Sequence, residues 1–77
     1  MRDYAEEAPA AARDGARITR PEEGVPVRAW IVQRQSGASR VNGEAIAWTP
    51  KQVHVRFVDE NGREGWAWLW ASAVERR

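Results

Sequence analysis

Residues 51–71 decide the fold, and they read KQVHVRFVDENGREGWAWLWA. Apolar and polar side chains alternate over much of residues 51–59, and tryptophans alternate with smaller residues across residues 65–71. This two-residue period is typical of β-strands. Asn61 and Gly62 lie between the two runs and are the strongest short-range signal for a hairpin. The stretch therefore predicts two antiparallel strands joined by a tight turn.

Further strands and their connections are predicted on both sides of this hairpin. Residues 36–43 contain several Gly and Ser residues and predict a loop, and Pro50 predicts a type I turn over residues 49–52. Residues 72–77 predict one tight turn and a short closing strand through Val74. The other predicted strands are residues 25–33, 44–49, 51–59 and 65–71. Five short strands with these connections indicate an all-β fold, a small five-stranded SH3-like barrel.

The composition changes near Gly24. Residues 1–23 carry Ala, Glu, Asp and Arg, and their only large apolar side chains are Met1, Tyr4 and Ile18. Because so little apolar surface cannot offset the entropy of ordering the chain, we expect a flexible polar tail over residues 1–23 and the barrel over residues 24–77. A helix of the tail docked on the barrel is the alternative.

Few residues could carry catalysis or hold a metal ion. The chain has no Cys and one His, which excludes a disulfide scaffold, a thiolate zinc site and a multi-histidine metal site. His54 could act as a general base oriented by Asp59 or Glu64, but a lone histidine between valines in a strand is more typical of a structural role. We expect no catalytic residue, no metal site and no cofactor.

The charge and hydropathy of the sequence predict the protein's cellular location and the kinds of partner it has. The 12 Lys and Arg residues nearly balance the 11 Asp and Glu residues, for a net charge of +1, so there is no strongly basic tail for nucleic acid. Asp3, Glu6 and Glu7 stand where a signal peptide carries positive charge, and no stretch approaches the ~18 apolar residues of a membrane-spanning helix. We expect a soluble cytoplasmic protein with no membrane partner.

The register of the Asn-Gly hairpin decides where three of the five tryptophans point. If the turn has two residues, Phe57 lies opposite Trp66, and Trp66, Trp68 and Trp70 all join the core. If a three-residue loop bulges at the glycine, the register shifts by one and the three indoles turn to the polar side of the sheet. The first register predicts tryptophans that fill a core, and the second predicts a surface patch of the kind that marks an interface.

The preceding hairpin has one predicted register. With Pro50 in the turn, Trp48 lies opposite Val53, Ala47 opposite His54 and Ile46 opposite Val55. Ile46 and Trp48 then belong to the apolar side of the sheet.

We expect a non-catalytic binding or assembly module that uses a Trp/Arg surface for self-association or partner binding. The candidate binding residues are Arg28, Trp30, Arg34, Arg56, Trp66, Trp68 and Trp70. The expected state is a homo-oligomer, and another protein or nucleic acid is the alternative partner. Aromatic side chains interleaved with Arg are typical of single-stranded nucleic-acid binding, although the small net charge predicts a weak electrostatic contribution.

The stretch from Arg34 to Arg77 resembles the small SH3-like barrel of the type II dihydrofolate reductases that plasmids and integrons carry. The resemblance rests on Ser36-Gly37-Ala38, on Gly43 and Trp48, and on Ala73-Val74-Glu75-Arg76. In that family a homotetramer binds folate and a nicotinamide cofactor in a central pore through a Val-Gln-Ile-Tyr motif. The resemblance thus implies an NADPH-dependent reductase as an alternative function.

The position that matches this motif reads Trp66-Ala67-Trp68-Leu69, so no residue of the motif is present. The resemblance therefore implies the fold and oligomerisation but no catalytic residue. The run Val53-His54-Val55-Arg56-Phe57 and the closing Val74-Glu75-Arg76 are equally similar to Tudor-like and KOW-like modules, which bind proteins or nucleic acids.

Overall fold

The computed structural model describes residues 7–33, 37–58 and 62–77. It contains five strands and two short 3-10 helices. The strands are β1 (Val25–Gln33), β2 (Gly37–Trp48), β3 (Gln52–Val58), β4 (Glu64–Trp70) and β5 (Val74–Arg76), and the 3-10 helices are Ala10–Arg13 and Ala71–Ala73.

The strands form one antiparallel sheet in the order β4-β3-β2-β1-β5. β1 to β4 follow one another as a meander, and the second 3-10 helix turns the chain so that β5 returns to pair with β1, Val27 lying opposite Arg76. The predicted five-stranded all-β class is confirmed. Within the described residues no pairing joins β4 to β5, so hydrogen bonds do not close the sheet into a barrel.

The loop predicted over residues 36–43 is wrong for residues 37–43, which belong to β2. They pair with β1, from Gln33 opposite Gly37 to Val27 opposite Gly43. A neighbouring strand supplies partners for the main chain there, and this pairing overrides the turn preference of Gly and Asn. Gly37 still carries the turn conformation, with a φ of 77°.

The predicted register of the β2–β3 hairpin holds at its turn and is wrong beyond it. Trp48 lies opposite Val53 and Ala47 opposite His54, but a bulge follows, so that Val55 lies opposite Ala45 and not Ile46. A bulge puts one extra residue into a strand and reverses the side of the residues beyond it. As a result, Ala45 belongs to the core cluster beside Val55, whereas Ala47 is buried outside that cluster and Ile46 is only half-buried.

The core is built from small and aliphatic residues around a single phenylalanine. Its buried members are Val27, Ala29, Ile31, Ala45, Val55, Phe57, Ala67 and Leu69. Trp48 is partly buried and packs against this cluster, whereas Trp66, Trp68 and Trp70 do not belong to it. Of the two registers that the sequence allows, the one that would place these three tryptophans in the core is therefore not the one adopted.

Residues 7–19, which we call the N-terminal segment, lie against the sheet. The main chain of Thr19 exchanges two hydrogen bonds with that of Trp48, of 2.7 and 2.9 Å. At the other end of the segment, Ala8 is buried and its N–H donates to the carbonyl of Trp68 at 2.7 Å. The flexibility predicted for residues 1–23 stays a prediction, and this docked arrangement is the one the structure describes for residues 7–19.

No helix in the described ranges is both long enough and apolar enough to cross a bilayer.

Candidate binding surface

The β3–β4 register places three tryptophans on the outside of the sheet. Arg56 lies opposite Trp66 and His54 opposite Trp68, whereas Ala67 and Leu69 face the core. Of the two registers that the sequence left open, this is the one that turns the indoles outward. The turn itself begins outside the described residues, because Asn61 is not among them, but Gly62 has a φ of 78°.

Phe57 explains why this register forms. Its ring is buried, and both neighbouring strands place a glycine opposite it, Gly43 on β2 and Gly65 on β4. A Cβ at Gly65 would lie 2.7 Å from Cζ of Phe57, and a Cβ at Gly43 would lie 2.4 Å from the carbonyl oxygen of Arg56. The alternative register would set Phe57 opposite Trp66, a large side chain, in place of Gly65.

The outward indoles form a surface that we call the tryptophan face, made of Trp30, Trp66, Trp68 and Trp70. Trp30 belongs to β1, whose alternate residues Ala29 and Ile31 are buried. Trp30, Trp66 and Trp70 are 51%, 50% and 44% exposed. Indoles are large apolar groups that are seldom left so open to water, so this face is the strongest candidate for a contact surface.

The three arginines that the sequence predicts as binding residues differ in their ion pairs. Arg56 makes ion pairs with Glu44 and Glu64, which offset its charge. Arg28 is exposed, and within the described residues it has no ion pair. Arg34 lies outside the described residues. The structure thus leaves Arg28 as the predicted arginine best able to meet a partner.

An arginine that was not among the predicted site residues also lies on this surface. Arg40 is opposite Trp30 on β2, with its guanidinium carbon 5.7 Å from the centroid of that indole, and it pairs with Glu75. A cation within about 6 Å of an indole face is attracted by the ring. The alternation of the strand around Arg40 could have indicated this position, but the predicted loop over residues 36–43 concealed it.

A groove lies beside the tryptophan face, between β1 and the free edge of β4. We call it the seam groove, and it encloses about 210 Å³. Its lining residues are Glu7, Ala8, Trp30, Val32, Leu69, Trp70 and Ala73. It brings Trp30 and Trp70 together although they belong to strands that do not pair.

The N-terminal segment covers part of the tryptophan face. The N–H of Trp68 donates to Oε2 of Glu7 at 3.2 Å, and the guanidinium carbon of Arg13 lies 4.4 Å from the centroid of the Trp68 ring. Arg13 also donates to Oε1 of Gln52 at 3.0 Å, and Gln52 donates through Nε2 to the carbonyl of Pro9 at 3.3 Å. Nothing in the sequence of residues 7–13 indicated that they would contact β4.

His54 is part of the same arrangement. Its ring stacks on that of Trp68, with 4.7 Å between centroids and an angle of 8° between planes. Burial lowers the pKa of His54 below its ordinary value of 6.5, Arg13 and Arg20 lower it further, and Glu7 opposes them. Glu64, a candidate to orient this histidine, pairs instead with Arg56, and Asp59 lies outside the described residues. These contacts fit a structural histidine.

A second, apolar cavity of about 230 Å³ lies at the other end of the sheet and is bordered by Trp48, Val53 and Val74. In the ranges that the structure describes, no three His, Asp or Glu side chains come together to hold a metal ion. The chemistry offered by the tryptophan face and the seam groove is therefore that of aromatic packing, arginine contacts and main-chain hydrogen bonds.

Comparison of the chain with protein families, with curated proteins and with solved structures found no match. The residues that stand where the reductase motif would be lie on β4. Trp66 and Trp68 point outward from it, and Ala67 and Leu69 point into the core.

Proposed function

We propose that this protein is a non-catalytic binding module that contacts a protein partner through the tryptophan face. The observation that carries the proposal is the exposure of Trp30, Trp66 and Trp70 on the outer side of one small sheet. Indoles near the centre of interfaces contribute a large share of binding energy, because each one buries much surface and loses little conformational freedom.

The surroundings of these indoles favour a protein over a nucleic acid. Arg56 and Arg40 are paired with carboxylates, and Arg13 contacts an indole of the face and the side chain of Gln52. Of the arginines described above on this face, only Arg28 has no such partner in the described residues to keep it from a phosphate group. Binding of nucleic acid depends on such cations and on the release of counterions. A mixed surface of indoles and paired charges is typical of a protein interface with an apolar centre and a polar rim.

The test is a selection of random dodecapeptides against the immobilised full chain, with a thymidine oligonucleotide titrated in parallel at low and moderate salt. We expect enriched peptides whose affinity falls about tenfold or more in Trp30→Ala and Trp70→Ala, as for hot-spot residues. Ile18→Ala is the matched control, because Ile18 is an exposed apolar residue that belongs neither to the tryptophan face nor to the lining of the seam groove.

Circular dichroism of each variant verifies that the sheet is retained. Peptides that bind both tryptophan variants as well as the original chain would contradict the proposal. Oligonucleotide binding that falls steeply with salt would assign the face to nucleic acid instead. The homo-oligomeric state and the cytoplasmic location expected from the sequence stay predictions, and light scattering of the same preparation tests the first.

A further inference from the structure

β4 is an edge strand, and the main chain of Trp68 near its centre is already hydrogen-bonded to the N-terminal segment. Trp68 directs its N–H and its carbonyl away from β3, since both bond to the N-terminal segment. Along an antiparallel strand this direction recurs at every second residue, so the main chains of Trp66 and Trp70 point to the same free edge. Such an edge is a template for pairing with another extended chain.

Two hydrogen bonds hold the segment at this edge, one between main-chain groups and one to a carboxylate. Ala8 supplies the N–H that a neighbouring strand would supply, and the Glu7 carboxylate stands in for the carbonyl that would accept from Trp68. An acidic residue therefore suits the first of these two positions.

Gln52 provides a third anchor for an extended chain. Its side chain is fully buried, and its amide donates to the carbonyl of Pro9 while its oxygen accepts from Arg13. Every residue type has a main-chain carbonyl, so the bond to Pro9 does not depend on a proline. A buried amide that loses its partners is costly, so an occupant that replaces the segment must offer Gln52 both an acceptor for its N–H and a donor for its oxygen.

The resident segment leaves space unfilled. Ala8 contributes only a methyl group to the seam groove, whose free volume is about 210 Å³ and whose walls include Trp30, Val32, Leu69 and Trp70. The share of liquid volume that one water takes is about 30 Å³, so the groove has room for a large apolar side chain. A chain with such a side chain at this position would bury more apolar surface than Ala8 does.

We propose that the seam groove and the β4 edge form a binding site for an extended peptide of a partner protein, in which an acidic residue is followed by a bulky apolar residue. Glu7-Ala8 of this chain occupies that site as a weak resident ligand, which the partner displaces. This inference rests on the proposed function and names the chemistry of the partner. An N-terminal segment tethered to the same chain has a high effective concentration, so the partner must gain from the larger side chain.

The experiment titrates three synthetic heptapeptides into the ¹⁵N-labelled full chain. The peptides are EAPAAAR, which copies residues 7–13, and its variants ELPAAAR and QLPAAAR. We expect ELPAAAR to bind on the order of tenfold tighter than EAPAAAR, because its leucine fills the groove. We expect QLPAAAR to lose most of that gain, and the shifted amides to include those of Trp30, Trp68 and Trp70.

Substitutions in the full chain test the displacement. Ala8→Asp places a charge in the apolar groove and should raise the affinity for ELPAAAR about tenfold, because the resident ligand no longer competes. Ala11→Asp is the matched control, since Ala11 is exposed in the same segment, and it should leave the affinity unchanged. Ala8→Leu should raise the midpoint of unfolding and weaken binding of the peptide, which keeps the test valid if Ala8→Asp does not fold.

Equal affinity for ELPAAAR and EAPAAAR, or shifts confined to other parts of the sheet, would overturn the inference. Concentration-dependent shifts at Trp68 without peptide would also overturn it, because the occupant would then be a second copy of the chain. If the heptapeptides fail to bind while selected dodecapeptides still depend on Trp30 and Trp70, the proposed function survives and only the site and its ligand class are wrong.

Discussion

Two residues on opposite sides of β4, Trp66 and Leu69, give the sharpest test of the tryptophan face. Leu69 is 6% exposed and packs in the core, whereas Trp66 is half exposed on the opposite side of the strand. In the alternative hairpin register their positions would be exchanged. The effect of replacing each one by alanine therefore reports which register the chain adopts.

We expect replacement of the smaller side chain, that of Leu69, to lower the free energy of unfolding more than replacement of the larger Trp66. Leu69→Ala removes a buried side chain and should lower the free energy of unfolding by about 3 kcal/mol, within the ~2–5 kcal/mol typical of such changes. Trp66 buries roughly half of an indole, on the order of 100 Å², and at about 25 cal/mol/Å² its truncation should cost about 1–2 kcal/mol after the retained methyl is allowed for. A domain of this size has a total stability of only about 4–11 kcal/mol, so the first change removes a large part of it.

Urea unfolding followed by far-ultraviolet circular dichroism measures both variants without relying on tryptophan emission. Equal urea dependence of the two transitions would show that the unfolded states are comparable. If Trp66→Ala costs more than Leu69→Ala, the register described here is refuted, and with it the tryptophan face.

Three further predictions concern the elements that hold this face. Gly65→Ala should cost about 1–3 kcal/mol, because the new Cβ would lie 2.7 Å from the ring of Phe57; adding Phe57→Leu should recover part of the loss, and a double-mutant cycle in urea checks the coupling. Burial lowers the pKa of His54 in the folded state, so the unfolded chain binds more protons, and the contribution of His54 to stability is full above pH 6.5 and is lost as the pH decreases from there through the folded pKa. The difference in unfolding free energy between the original chain and His54→Gln should follow that course, and a difference independent of pH would contradict it. Thr49→Val should cost about 1–3 kcal/mol, because the Thr49 hydroxyl accepts from the main-chain N–H of Gln52 at 3.0 Å, whereas Thr49→Ser should be nearly neutral; calorimetry of the two variants separates hydroxyl from shape.

The sequence predicted the strand pattern well where alternation and turn residues agree. β1 has the predicted bounds, β3 and β4 each differ from them by one residue at either end, and Thr49 donates to Gln52 across the predicted turn. Two features escaped prediction for physical reasons. Residues 37–43 form a strand because β1 lies alongside them, and the bulge near Ile46 shifts a register that the turn residues alone predicted as regular.

The candidate site was predictable only in part. Composition drew attention to the tryptophans, and two registers could be written down, but the choice depends on the space between Phe57 and Gly65, which is a property of three strands together. The contacts of Glu7 and Ala8 with Trp68 join residues about sixty positions apart and carry no local signal. Long-range main-chain bonds of this kind leave no periodicity in the sequence.

The bond between Ala8 and Trp68 also bears on how the chain behaves at high concentration. An edge strand that carries three indoles is the kind of surface along which sheets of different molecules join and grow into aggregates. Natural proteins interrupt such edges with a covering loop or a charge, and here a two-residue stretch supplies both, with the carboxylate of Glu7 on the N–H of Trp68. The contact that borders the seam groove therefore also covers the part of the β4 edge at which the main chain of another copy could pair.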